Sequence, residues 1–155
     1  TTVDLIGNVK AVKDYDSITI YIPREKDKTE IDFCIGTHNL CGQTITILKT
    51  DLPNEQTIIS DAKKGIFYFD GDKIPVGSVI RTRRDGDVFI PFSGKSKKLK
   101  DYFIDKKVPT RERDFIPLLC HEKNVLLIEN FSISEVIKVD KNTVNVLKFY
   151  AYKGE

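Results

Sequence analysis

Four lysines, Lys95, Lys97, Lys98 and Lys100, crowd the predicted start of a helix. Cations there oppose the helix macrodipole, whose positive end already lies at that terminus. A helix shaped for stability alone would carry Asp or Glu in its first turn. Two readings fit the pattern. A phosphate seated on the free N–H groups would draw the lysines to it, with Gly94 allowing close backbone approach; otherwise the lysines form a solvated surface cluster. Upstream, Arg81, Arg83 and Arg84 lie on a predicted strand, and Arg81 and Arg83, two apart, share a face. Downstream, Arg111 and Arg113 follow the helix. Arg81, Arg83, Lys95, Lys97, Lys98, Lys100, Arg111 and Arg113 therefore form the candidate phosphate-binding set, placed to track a nucleic-acid backbone. The competing reading pairs the arginines with Asp85, Asp87, Glu112 and Asp114.

Charge supports the search in this region. Residues 1–80 hold 9 Lys+Arg against 12 Asp+Glu, and residues 81–155 hold 16 against 11, so a net of −3 gives way to +5 near Arg81. Such asymmetry fits either one half that meets a polyanion or two solvated surfaces of different composition.

Other chemistries find little purchase. There is no GxxxxGK[ST] phosphate loop; Gly94-Lys95-Ser96 resembles only its tail. Ser93 has no histidine base that the sequence identifies, and no catalytic residue is assigned. Cys34, His38 and Cys41 are close enough in sequence to meet at one ion, but a fourth ligand would have to come from distant Cys120 or His121, so no metal site is assigned. The plainer reading packs Cys34 in its strand and buries Cys120 at the end of an apolar one. Three cysteines are an odd number, which argues against a disulfide framework and for a reducing compartment. With no membrane-length apolar run and no apolar signal core, a soluble cytoplasmic protein is expected. The 155 residues contain no methionine, which suggests excision from a longer protein.

The elements that would position these groups read as an α+β fold. Period-two or β-branched segments (Ser17–Ile22, Ile31–Ile35, Gln43–Leu48, Thr57–Ile59 and Gly65–Phe69) make residues 1–75 a β-rich subdomain. Residues 76–155 read as a mixed sheet with one main helix and a short helical turn. Its strands are Ser78–Arg83, Val88–Ile90, Pro117–Cys120, Val125–Ile128, Ile133–Val139 and Thr143–Tyr152. The helix carries Leu99, Tyr102 and Phe103, takes Ser96 as its N-cap, and ends before Val108-Pro109. Thr110–Asp114 forms the short turn.

The run Ile80-Arg81-Thr82-Arg83-Arg84-Asp85-Gly86-Asp87-Val88-Phe89-Ile90-Pro91 resembles a signature of bacterial tRNA(Ile)-lysidine synthases. The likeness continues through Gly94, Lys97-Lys98-Leu99-Lys100-Asp101-Tyr102-Phe103-Ile104-Asp105-Lys106-Lys107-Val108-Pro109, Glu112-Arg113-Asp114, Ile116-Pro117-Leu118-Leu119 and Ile133-Ser134-Glu135. It spans about Tyr68 to Leu147 and identifies the C-terminal, tRNA-binding domain of the family, with residues 1–67 a looser fit to the segment upstream. The resemblance implies that the parent protein uses ATP, with magnesium, to join lysine to the wobble cytidine of an isoleucine tRNA. That chemistry belongs to an N-terminal catalytic domain with an SGGxDS loop, which this sequence lacks. The resemblance further implies two partners, the acceptor arm of the tRNA and that N-terminal domain, and no cofactor in this chain. Three positions depart from the family pattern: Val88 and Thr110 stand where arginines are usual, and Asn130-Phe131-Ser132 replaces Gly-x-Arg. Asn130 tolerates the left-handed conformation of a glycine; each lost arginine should weaken phosphate binding and flatten its salt dependence. The alternative function, from another class, is a structural or protein-interaction domain that has drifted from RNA binding and forms a homodimer.

Overall fold

A computed structural model describes residues 1–92 and 94–153. Three sheets organise the described residues. The first is an antiparallel meander of β1 (Thr2–Asp4), β2 (Lys10–Asp14) and β3 (Ser17–Tyr21). The second has seven strands. Along it lie β10 (Lys97–Lys98), β9 (Val88–Phe89), β12 (Asn124–Ile128), β11 (Leu118–His121), β8 (Val79–Arg81) and β4 (Ile31–Asp32), and β13 (Ser132–Ile133) adds to β12. It is a mixed sheet, because β9 and β12 run parallel while its other pairs are antiparallel. The third sheet orders β5 (Gly36–Leu40), β6 (Gln43–Thr50), β14 (Val146–Lys153) and β7 (Phe67–Asp70). Helices α1 (Glu55–Ala62), α2 (Leu99–Asp105) and α3 (Thr110–Arg113) complete the α+β architecture.

The second sheet lies between two apolar layers. One face meets the third sheet through Ile80, Leu119, Leu126, Leu127, Phe69, Leu147 and Phe149. The other face meets α2 through Leu118, Cys120, Val125, Ile128, Leu99 and Phe103. Alternation along β11 sends Leu119 one way and Leu118 and Cys120 the other, as the pleat requires. A register shift between Leu119 and Cys120 gives β12 one extra residue there, so Leu126 and Leu127 share a core; a bulge produces this local break in alternation.

The expected division at residue 75/76 is crossed by two sheets. β14 pairs residue by residue with β6, from Val146 opposite Thr50 to Lys153 opposite Gln43, and β4 pairs with β8.

Several sequence expectations need correction. Thr57–Ile59 is helical rather than a strand: Asn54 accepts the Thr57 N–H at 2.8 Å and caps α1, and Tyr68 donates to Asp61 at 2.6 Å to dock it. Local capping outweighs the β-branched bias. Lys97 and Lys98 lie on a strand opposite Phe89 and Val88, so they precede the helix. Ser96 is not its cap; Lys98 holds that position with no side-chain cap bond. Ile133–Val139 is not one strand but ends in a 3-10 turn over Glu135–Ile137, capped by Ser134. Asn130 does take the left-handed conformation, at φ 62°. No helix among the described residues is long and apolar enough to cross a membrane.

Candidate nucleic-acid interface

β8 leaves the core at Arg81, and the chain turns back at Arg84–Gly86, where Gly86 has φ 87°. Asp87 closes this turn and sits at its hub. Its Oδ2 accepts the Arg84 N–H at 2.8 Å, and its carbonyl accepts the Leu99 N–H at 2.9 Å, fixing the start of α2. Arg81 grips the same carboxylate with both Nη atoms at 2.9 Å, and also donates to the Thr82 carbonyl at 3.0 Å and the Glu122 carbonyl at 2.7 Å. Burial is the largest single influence on this guanidinium and opposes its charge; the Asp87 hydrogen bonds and nearby charges outweigh it and hold its pKa above the ordinary value.

In front of this hub lies a groove of about 600 Å³. Six cations line it: Lys26, Arg83, Arg84, Lys98, Lys100 and Arg113. They come from the loop after β3, the turn after β8, the β10–α2 junction and α3. Three carboxylates share the lining. Asp87 is engaged by Arg81, and Asp114 accepts from Arg83 Nε at 2.8 Å with Lys26 Nζ at 3.7 Å; Asp85 is exposed. Lys98 and Lys100 are exposed, and among the described residues neither has a carboxylate partner. They are the charges most open to an incoming anion.

The eight candidates divide accordingly. Arg83, Lys98, Lys100 and Arg113 converge on the groove. Arg81 does not present its charge there: it is 2% exposed and fully committed to Asp87 and two carbonyls. Arg113 reaches the groove only by an edge, being 7% exposed, with Nε donating to the Val108 carbonyl at 2.9 Å and Nη2 to Tyr15 Oη at 3.4 Å. Arg111 is paired with Asp14, and its guanidinium lies 5.7 Å from the Tyr21 ring centroid, so it fastens the first sheet to α3. Lys97 is bound to Asp105 at 2.7 Å, and exposed Lys95 lies outside the groove lining. The helix start does not by itself make an anion site: α2 has seven residues, and Asp87 already takes its first N–H. Gly94 has a local explanation, because a Cβ there would come within 2.7 Å of the Pro91 ring. Ser93 lies outside the described residues.

Sequence reasoning left Lys26 and Arg84 out of the set. Arg84 adjoins Arg83 and was visible; its exposed pairing with Glu30 at 3.3 Å leaves it half open. Lys26 carried no signal beyond a charged turn, since its neighbours in space are 57 and more residues away: its Nζ donates to the Arg83 carbonyl. Of the departures from the family pattern, only Thr110 lines the groove. Val88 faces a separate cavity beside Ile90 and Val125, and Ser132 Oγ donates to the Ile133 carbonyl. Among the described residues no three His, Cys, Asp or Glu side chains are grouped to hold a metal; Cys34 Sγ and His38 Nε2 approach to 3.7 Å without a third donor. Burial pushes the Cys120 thiol up to about 12, which makes it an inert core side chain.

Comparison with known proteins agrees with this picture. Residues 79–148 match the family described as the TilS substrate C-terminal domain. The tRNA(Ile)-lysidine synthase of Clostridium acetobutylicum is 34% identical over 99% of this chain and 34% of its own length. That of Clostridium tetani is 37% identical over 94% of the chain and 32% of its own length. A crystal structure of a TilS C-terminal domain superposes with a TM-score of 0.69, covering 83% of this chain and 99% of that one at 22% identity, a likeness of fold. The chain spans about a third of the length of the curated relatives it matches. The family match takes in every groove-lining residue but Lys26, and it identifies residues 79–148 as a TilS substrate C-terminal domain within a chain that is similar along nearly its whole length to tRNA(Ile)-lysidine synthases.

Proposed function

We propose that this domain holds the acceptor arm of an isoleucine tRNA in the groove between the β8–β9 turn and the β10–α2 junction. The lysine ligation named by its relatives would proceed in the part of those proteins that this chain does not span, together with the ATP and magnesium it needs, and in the cytoplasm. No residue here is assigned to either group, because the chain has neither a Gly-rich phosphate loop nor, among its described residues, a cluster of metal-binding side chains. The observation that carries the reading is the convergence of six cations on one groove, two of which, Lys98 and Lys100, are exposed and without a carboxylate partner among the described residues. Phosphate contacts of this kind supply affinity and register rather than sequence readout. The test is a mobility-shift series with isoleucine tRNA and an unrelated tRNA over a range of salt. Binding should weaken steeply with salt, by about 0.9 in log K per log unit for each contact, and fall in Lys98→Ala/Lys100→Ala. Unchanged affinity in that variant sinks the proposal.

A second reading, a protein-interaction domain forming a homodimer, has one observation in its favour. The outer face of the first sheet is apolar and open: Ile18 and Ile20 are 75% and 66% exposed, beside Val3 opposite Ala11, and Ile22 just past β3 is 67% exposed. A concentration-dependent dimer in sedimentation equilibrium, lost in Ile18→Lys/Ile20→Lys, together with no tRNA shift at low salt, would favour it over the first.

A further inference from the structure

The groove does not end at the matched domain. Lys26 and Arg84 line both it and a second cavity of about 220 Å³, whose walls are completed by Lys28, Thr29, Arg81 and Thr82. Four of these six residues are cationic and none is acidic. The loop that supplies Lys26 and Lys28 lies more than fifty residues before the nearest residue of the family match, yet it is held against the domain at several points. Thr82 Oγ1 donates to the Asp27 carbonyl at 2.9 Å, and Asp27 Oδ1 in turn accepts the Thr29 N–H at 2.9 Å. Arg24 lies 3.8 Å over the Phe115 ring, and Glu30 pairs with Arg84. A loop so fastened presents its charges without first having to be ordered, which lowers the entropic cost of binding. Two of its three acids are turned to other uses, Asp27 bonding within the loop and Glu30 holding Arg84, while Glu25 is exposed; Lys28 makes no ion pair among the described residues.

We infer that the phosphate track continues out of the groove onto this loop, so that Lys26 and Lys28 contact the sugar-phosphate backbone beyond the stretch held by Lys98 and Lys100. The partner chemistry is a polynucleotide longer than the groove. The inference rests on the reading of the groove as an RNA site and extends it into the net-acidic half of the chain, which composition alone would not suggest.

The experiment uses the 155-residue chain and an isoleucine tRNA transcript, with affinity measured by fluorescence anisotropy across a salt series. Three double variants are compared: Lys26→Ala/Lys28→Ala, Lys98→Ala/Lys100→Ala, and Lys63→Ala/Lys64→Ala, the last at exposed positions that line neither cavity. Loss of one phosphate contact should weaken binding about eightfold at 0.1 M salt and loss of two about sixtyfold, with a slope shallower by about 0.9 for each. The expected result is a loss in that range for Lys26→Ala/Lys28→Ala and no change for Lys63→Ala/Lys64→Ala. Lys28→Ala alone, which removes no intramolecular bond, should give the eightfold part and guards against a misfolded double variant. If Lys98→Ala/Lys100→Ala weakens binding while Lys26→Ala/Lys28→Ala does not, the extended track is overturned and the groove reading stands. Equal losses in Lys26→Ala/Lys28→Ala and Lys63→Ala/Lys64→Ala overturn it too, since net charge alone would explain them. If Lys98→Ala/Lys100→Ala binds as the parent does, the groove reading and the extended track fall together.

Discussion

Asp87→Ala should be among the most damaging single changes in the second half of the chain. Both partners of the Arg81–Asp87 pair are buried, with side chains 3% and 2% exposed. Removing the carboxylate leaves the guanidinium in the interior with only the Thr82 and Glu122 carbonyls as acceptors. It also strips the Arg84 N–H of its acceptor. Breaking a buried pair from one side costs about 3–5 kcal/mol, a large share of the roughly 5–15 kcal/mol that stabilises a typical domain. For a chain of this size that corresponds to a fall in Tm of roughly 6–20 °C. Urea unfolding followed by circular dichroism measures the loss, and repeating it at high salt separates a buried pair from a screened surface one. The double variant Arg81→Met/Asp87→Leu, which removes both charges, should recover most of the stability. A loss under about 1 kcal/mol, the range of an exposed pair, would refute the claim that this pair is desolvated and that Arg81 is structural. So would a double variant no more stable than Asp87→Ala.

Two further predictions concern groups that burial perturbs. Cys120, its thiol pushed up to about 12, should resist alkylation at pH 8 in the native protein and react only on unfolding, while exposed Cys34 reacts at once; mass spectrometry after timed labelling reads the difference. Burial raises the Glu129 carboxyl above its ordinary value near 4.5, against a lowering by Gln43. The folded state therefore holds that proton more tightly than the unfolded chain, and Glu129 costs stability as pH rises from the ordinary value through the raised one. Glu129→Gln should consequently match the parent below pH 4 and exceed it at neutral pH in urea midpoint, whereas a parent equally stable on both sides of that window relative to the variant would contradict the assignment.

The parts of the fold that were legible in the sequence are those governed by local pattern. β6, β11 and β12 declare themselves by alternation or apolar runs, and Leu99, Tyr102 and Phe103 by helical spacing, because each is one face of an element against one layer. α1 was hidden by Thr57-Ile58-Ile59, although Asn54-Glu55 is a helix-start signal that outweighs them. The site was legible as a region but not as a set. Arg81 looks like Arg83 in sequence, and only the closing of the Arg84–Asp87 turn and the distant Glu122 carbonyl take it out of reach. Lys26 enters the groove through contacts that bridge 57 residues, a separation that composition and periodicity do not see. The charge reversal near Arg81 falls beside the groove but gives no sign of its far wall, where Lys26 belongs to the acidic half.

The departures from the family pattern can now be separated by geometry, and this gives a gain-of-function test. Thr110 lines the groove and is exposed at the first position of α3, so an arginine there adds a cation beside Lys98 and Lys100 without displacing any core side chain. If that cation reaches one phosphate, Thr110→Arg should bind tRNA about eightfold tighter at 0.1 M salt, with a slope steeper by about 0.9. Val88 is half-buried and borders the cavity with Ile90, Val125 and Leu126. An arginine at that position would put its stem against those side chains and should leave tRNA affinity unchanged. The same added charge at two sites thus distinguishes a binding groove from a general electrostatic attraction. Net charge rises equally in both variants, so a gain confined to Thr110→Arg can come only from where the groove lies, and equal gains in both would show that the domain attracts RNA without holding it there.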